Sequence, residues 1–189
     1  MAAEGIYKDR GSKFLGFAEA IQDEEQAKAR IAWYKKKYHD ARHVCYAYVI
    51  GVDGVGDGAS CRMNDDGEPS STAGKPIYGQ LIKAELTDTL IVVVRYYGGV
   101  NLGTSGLIVA YREAALDCIT NSVIEERIIE EKIEYSFVYP AMNDVMKIVK
   151  DLQPRIVSQQ FDNTCSITLA IRQSMAPQLR ARLEQLAFK

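Results

Sequence analysis

Hydrophobic and polar residues alternate along this chain with two periods, and the switches between them mark out the elements. Residues 12–21 read as a strand. Asp23 and Gln26 then have the spacing of a capping box, and Ala27, Ile31, Tyr34 and Tyr38 recur at i, i+4, i+7 and i+11, one face of a helix. Residues 44–50 form an apolar strand that runs into Gly51–Gly58, a glycine-rich turn expected to be a hairpin tip. Ser71 or Thr72 is placed to cap a helix through Ile77, Leu81 and Ala84. Pro76 fits its first turn, where a missing N–H donor costs nothing. Residues 89–96 are aliphatic on both faces, as in a central strand. Gly98-Gly99 ends that strand, and a helix is expected from near Thr104 with Leu107, Tyr111, Ala114 and Cys118 on one face.

After Asn121 the pattern changes. Charged clusters at 125–127 and 130–132 read as a linker or strand entrance, which predicts a first domain over residues 1–125 and a second over 126–189. Ile133, Tyr135, Phe137 and Tyr139 alternate as a strand, and Pro140 opens a helix through Val145, either Ile148 or Val149, and Leu152. Residues 156–161 and 165–171 read as two strands around an Asp162-Asn163 turn. A last helix carries Leu179, Leu183 and Leu186. The order β-α-β-β-α is most of a split β-α-β unit.

Composition narrows the function classes. The 189 residues carry 23 Lys and Arg against 25 Asp and Glu, a net charge of -2, so any nucleic-acid binding must come from a local patch. The longest aliphatic stretch, residues 90–94, is far short of the roughly 20 residues of a membrane-spanning helix. The opening residues show no basic region followed by an apolar run. Cys45, Cys61, Cys118 and Cys165 are scattered, as expected of reduced thiols in a cytoplasmic protein. Neither a membrane, a cofactor nor a bound metal is expected. His39 and His43 are four apart but lack the Glu of a zincin motif.

Two segments have compositions that packing alone explains poorly. The first, residues 64–76, places Asp65, Asp66 and Glu68 before a run of small hydroxyl residues. These carboxylates are expected to serve turn and cap formation, with a divalent-metal or general acid/base site as the alternative. The second runs from Arg95 to Gly106 through Tyr96, Tyr97, Gly98, Gly99, Gly103 and Thr104. Free N–H groups at such a helix start can hold a phosphate, Arg95 can add charge, and the tyrosines can stack on bases. An internal ion pair at Arg95 would instead give that residue a packing role. Arg42, His43 and Lys75 are further candidate contacts if the fold brings them close. Lys35-Lys36-Lys37 beside Trp33 and Tyr38 form another basic and aromatic cluster.

These segments also carry a resemblance. Asp65-Asp66-Gly67-Glu68-Pro69 with Thr72-Ala73-Gly74-Lys75-Pro76, then Val93-Val94-Arg95-Tyr96-Tyr97-Gly98-Gly99 with Leu102-Gly103, resemble the paired signatures of the IMPACT family, in its bacterial YigZ-like branch. Gly11-Ser12-Lys13-Phe14 and Asp40-Ala41-Arg42-His43 add to the likeness, whereas Ser71, Ser105 and Val109 depart from the family's usual residues. The resemblance implies a two-domain α+β protein. Its N-terminal α/β sandwich would be like ribosomal protein S5 domain 2 and RNase PH, and its C-terminal βαββα unit ferredoxin-like, like the fifth domain of the translocating elongation factor. Eukaryotic members resembling the N-terminal domain regulate translation. The expected function is therefore a non-enzymatic RNA- or ribosome-associated regulator of translation, with no catalytic residues. Alternatives are a phosphate-handling or RNA-processing enzyme using the glycine loop and the acidic turn, and an adaptor that docks a protein partner.

Overall fold

A computed structural model describes residues 2–52, 55–161 and 165–187. The Asp162-Asn163 turn and the centre of the 51–58 turn lie outside these residues. The chain is a two-domain α+β protein with open antiparallel sheets, divided into compact units Met1–Ile124 and Glu125–Lys189. No described helix is long and apolar enough to cross a membrane.

In the first unit, β1 (Ala3–Asp9), β2 (Ser12–Ala20), β3 (His43–Val52), β4 (Val55–Asn64) and β5 (Thr89–Tyr96) form one sheet in the order β1-β2-β5-β3-β4. Every neighbouring pair is antiparallel. Strand β5 lies at the centre, and Leu90 to Val94 are fully buried. Even and odd positions of β5 serve different cores. Ile91 and Val93 pack under α2 (Gly74–Lys83) and α3 (Gly103–Thr120), while Leu90, Val92 and Val94 pack with Ile31 and Tyr34 of α1 (Glu24–Lys37). Helix α1 begins as its sequence suggests: the Gln26 N–H donates to the Asp23 carboxylate (2.7 Å), and Gln26 Oε1 accepts from the Gln22 N–H (2.7 Å).

Strands β1 and β4 do not stand out in the sequence. Both are edge strands, with one side of the ladder unpaired and mixed composition. β1 is broken by Gly5, and β4 opens Val55-Gly56-Asp57-Gly58, residues assigned above to a turn. The start of α2 also differs from expectation. Neither Ser71 nor Thr72 caps it. The cap is supplied from outside the helix by Asp65, whose Oδ1 accepts from the N–H groups of Ala73 (3.0 Å) and Gly74 (2.8 Å). Thr72 turns its hydroxyl to the Pro69 carbonyl instead (2.7 Å).

In the second unit, β6 (Glu130–Phe137), β7 (Arg155–Phe161) and β8 (Cys165–Arg172) form a sheet in the order β6-β8-β7, antiparallel throughout. Ile133, Phe137, Ile167, Leu169 and Ile171 form its apolar face. Val145 and Ile148 of α4 (Met142–Leu152) and Leu179 and Leu183 of α5 (Ala176–Ala187) close over it. Residues 123–129, between the units, form neither helix nor strand. Limited proteolysis is expected to cut there first and to release two resistant fragments, readable by mass spectrometry. A first cut inside either sheet would contradict this division.

Candidate functional site

The two motif segments meet at one end of the first sheet. β5 ends at Arg95 and Tyr96, in register with His43 at the start of β3 and with Phe14 and Lys13 of β2. β4 ends at Asn64 opposite Tyr46, and Gly74 of α2 packs against the Asn64 backbone. Helix α3 starts seven residues after β5 ends, at Gly103. Both helix starts and the acidic turn therefore lie at the end of β5.

Beneath this surface is a buried polar network. The Arg95 side chain is 6% exposed, and its Nη1 donates to Glu68 Oε1 at 2.6 Å. Glu68, 3% exposed in its side chain, also accepts from the Tyr111 hydroxyl of α3 at 2.8 Å. The His43 ring hydrogen-bonds through Nδ1 to the Asp66 carbonyl (2.7 Å) and places Nε2 3.8 Å from Glu68. Cys45 Sγ lies 3.0 Å from the Asp65 carbonyl oxygen and 3.3 Å from the Tyr111 hydroxyl. Burial pushes the Cys45 thiol well above its ordinary range, and the Glu68, Asp66 and Asp65 charges push it further, so this cysteine is an inert thiol.

Arg95 is thus not the surface cation the sequence suggested. Its charge is matched inside the fold, with the guanidinium near the rings of Phe14 (5.4 Å) and Tyr97 (5.6 Å). The strand period carried a signal for this, since Ile91, Val93 and Arg95 share the buried α2/α3 face. Nothing local in the sequence joins Glu68 to Tyr111, 43 positions apart.

The other two carboxylates of the acidic turn are also occupied. Asp65 accepts from Ser71 (2.9 Å) besides its two contacts at α2. Asp66 accepts from the Val44 N–H (2.8 Å) and pairs with Lys35 (2.5 Å). Burial works against the Asp66 carboxylate, but the Lys35 and Val44 hydrogen bonds and the Lys35 and His43 charges outweigh it and hold the group below its ordinary 3.8. A depressed carboxylate stabilises the fold fully above its ordinary range and loses that contribution as pH falls through the lower folded value. Asp66→Asn is therefore expected to lower stability at neutral pH and to flatten the acid limb of a urea-midpoint profile below about pH 4. An unchanged acid limb would contradict the assignment.

Beyond Arg95 the loop is open. Tyr97, Gly98, Gly99, Val100 and Asn101 are exposed, as are Gly103, Thr104 and Ser105 at the start of α3. Gly98 holds the loop to the sheet: its N–H donates to Ser12 Oγ (3.2 Å), and a Cβ there would strike the Gly11 and Ser12 backbone. At Gly99 and Gly103, where φ is 87° and 73°, a Cβ would meet nothing within 4 Å. Leu102 at the N-cap of α3 makes no side-chain cap hydrogen bond, and, unlike at α2, no side chain among the described residues accepts from the first turn. Tyr96 donates to Asp40 (3.0 Å) and is half-buried, which leaves Tyr97 as the exposed ring. Arg42, whose N–H donates to the Arg95 carbonyl (2.9 Å), and Lys75 in the first turn of α2 are exposed. Neither makes an ion pair among the described residues.

The model of the Impact N-terminal domain matches residues 10–119, which span both motif segments. The chain belongs to the IMPACT family. Family relatives cover most of its length. It is 35% identical to an IMPACT family member of Haemophilus influenzae over 89% of this chain and 79% of that protein. It is 28% identical to YigZ, the IMPACT family member of Escherichia coli, over 95% and 86%. A crystal structure of a hypothetical protein superimposes with a TM-score of 0.66 at 25% identity, covering 97% of this chain and 88% of that one. The IMPACT signature residues therefore serve two purposes here. Asp65, Asp66, Glu68 and Arg95 build the end of the sheet, and the glycine loop and the start of α3 face outward.

Proposed function

We propose that this chain is a non-enzymatic regulator of translation that associates with RNA or the ribosome through the start of α3. One observation carries this reading: every carboxylate of the acidic turn is consumed by an internal partner, while Arg42, Lys75 and the uncapped first turn of α3 are exposed. Arg42 and Lys75 supply exposed positive charge at this end of the sheet, where Asp40 is also exposed, in a chain whose net charge is -2. A phosphate at the first turn of α3 would meet backbone donors and the positive end of the helix dipole, with no Cβ at Gly99 or Gly103 to bar its approach. Tyr97 supplies an exposed ring for a base. Arg95 acts as a positioning residue that fixes where β5 ends.

The same observation weighs against an enzyme built on the acidic turn. A general acid/base pair or a divalent-metal site needs carboxylate oxygens free to engage substrate or ion. Here they hold a helix, a strand and an arginine. The family's expected domain types, S5 domain 2-like and ferredoxin-like, belong to this reading, and the β6-β8-β7 order with α4 and α5 on one face supports the second.

Ribosome cosedimentation across a KCl series tests the proposal. The chain is expected in the ribosomal fraction at low salt and in the supernatant at high salt, because displaced counterions drive phosphate binding. Retention that ignores salt would favour docking to a protein, and no retention at any salt would remove the ribosome from the reading.

A further inference from the structure

The tip of the β1–β2 hairpin carries two features that local physics disfavours. Asp9 pairs with Ser12, so Arg10 and Gly11 form a two-residue turn, and φ is positive at both, 44° and 77°. Such turns take Asn, Asp or Gly at the first position, because other L residues are strained in the left-handed region. Here that position holds an exposed arginine. Behind the turn, Lys8 and Lys13 are direct cross-strand partners, so two like charges stand side by side on one face of the ladder. Such a pair opposes folding. Both lysines are exposed. Among the described residues, none of the three cations makes an ion pair and none stands over an aromatic ring. Asp9 is half-buried, and Asp40 accepts from the hydroxyl of Tyr96, the β5 partner of Lys13; neither carboxylate engages them. The tip is fastened to the loop that leads into α3: Gly98 donates to Ser12 Oγ (3.2 Å) and packs against the Gly11 and Ser12 backbone.

We propose that the tip of the β1–β2 hairpin is a second contact for an RNA phosphate backbone, beside the start of α3, with Lys8, Arg10 and Lys13 as its cations. The inference deepens the RNA reading above and rests on it. A local rule broken without an internal gain marks a place where another demand is served. Here two rules are broken within one hairpin tip, and both breaks put an unpaired positive charge at the same exposed place. A polyanion is the partner that relieves them: it neutralises the Lys8–Lys13 repulsion and gives Arg10 charge-assisted hydrogen bonds. A phosphodiester backbone presents a charge at every nucleotide and needs neither a pocket nor a fixed side-chain register, which suits cations set on a turn and a strand pair. Because Gly98 ties the tip to the α3 loop, a strand held at the first turn of α3 has this surface next to it.

The test titrates the full chain with a short fluorescein-labelled oligouridylate across a KCl series. Arg10→Asn is expected to bind roughly threefold or more weakly at low salt, with a log–log salt slope shallower by about 0.7 for the phosphate no longer held. It should melt no lower than the native chain, because asparagine accepts the left-handed turn. Lys8→Thr should behave in the same way, since it removes the like-charge pair and leaves a good strand residue. Weaker binding without a loss of stability is a result that a merely structural role would not give. Ser105→Glu at α3 is titrated beside them. A loss in the hairpin variants without one in Ser105→Glu would support the hairpin contact and remove the α3 turn. A loss in Ser105→Glu alone would overturn the hairpin contact and leave the α3 reading standing. Polyglutamate that competes as well as unlabelled oligouridylate would overturn RNA in favour of an acidic protein segment. Failure of the native chain to bind the oligouridylate at low salt would also overturn the proposal, while ribosome cosedimentation judges the wider reading separately.

Discussion

Arg95→Ala is expected to destabilise the first unit by about 3–5 kcal/mol, the cost of leaving a buried charge without its partner. The orphan would be Glu68, whose carboxylate is 3% exposed and would keep only the Tyr111 hydroxyl and a His43 ring 3.8 Å away. Against a total stability of roughly 5–15 kcal/mol this is a large share. Arg95→Lys should recover only part of the loss, since an ammonium cannot reproduce the planar guanidinium between Phe14 and Tyr97. The pair replaced together, Arg95→Met with Glu68→Leu, should be far milder than either single loss, because no charge is then stranded. Urea unfolding of the four proteins measures this series. A loss below about 1 kcal/mol in Arg95→Ala would mean that the pair is solvated like a surface salt bridge and not buried.

The second large effect comes from two glycines that carry no chemistry. Gly5 and Gly16 are direct partners across β1 and β2, and α3 rests on both. A Cβ at Gly16 would run into the Ala114 carbonyl, and one at Gly5 into the Asp117–Cys118 peptide, one turn further along α3. The obstruction is backbone on both sides, so no side chain can rotate away to relieve it. Gly16→Ala is expected to cost about 1–3 kcal/mol through overpacking. Gly5→Ala should cost a similar amount, and the double variant less than their sum, because one displacement of α3 relieves both clashes. Thermal unfolding of the three variants measures it, and additive losses would show that the two sites yield separately.

These effects also show where the sequence is readable and where it is not. Strand β5 and the buried faces of α1 and α3 are legible, because burial on a fixed period leaves a mark at Leu90–Val94, at Ala27, Ile31 and Tyr34, and at Leu107, Tyr111 and Ala114. Strands β1 and β4 leave little mark, because an edge strand is half exposed and tolerates Gly5 or the Gly56-Asp57-Gly58 run. The site is half legible. Its composition points to the acidic turn and the glycine loop, but the assignment of partners depends on distant contacts. Asp65 caps a helix that begins nine residues later, and Glu68 meets Arg95 only because β5 and the turn end together. Which charges are spent inside and which remain outside is a property of that meeting, and local spacing does not encode it.

The role proposed for the α3 loop rests on its first turn being an open anion site. Ser105→Glu tests it with little risk to the fold, because a carboxylate in the first turn of a helix stabilises it by about 0.3–1 kcal/mol while occupying the place of a bound phosphate. The direct measurement is the affinity of a short single-stranded RNA for the native chain and for this variant across a salt series, with melting temperatures recorded alongside. Ser105→Glu is expected to bind more weakly, with a log–log salt slope shallower by about 0.7 for each phosphate no longer held, and to melt no lower than the native chain. Equal affinity and an equal slope in the two proteins would contradict an anion site at this turn.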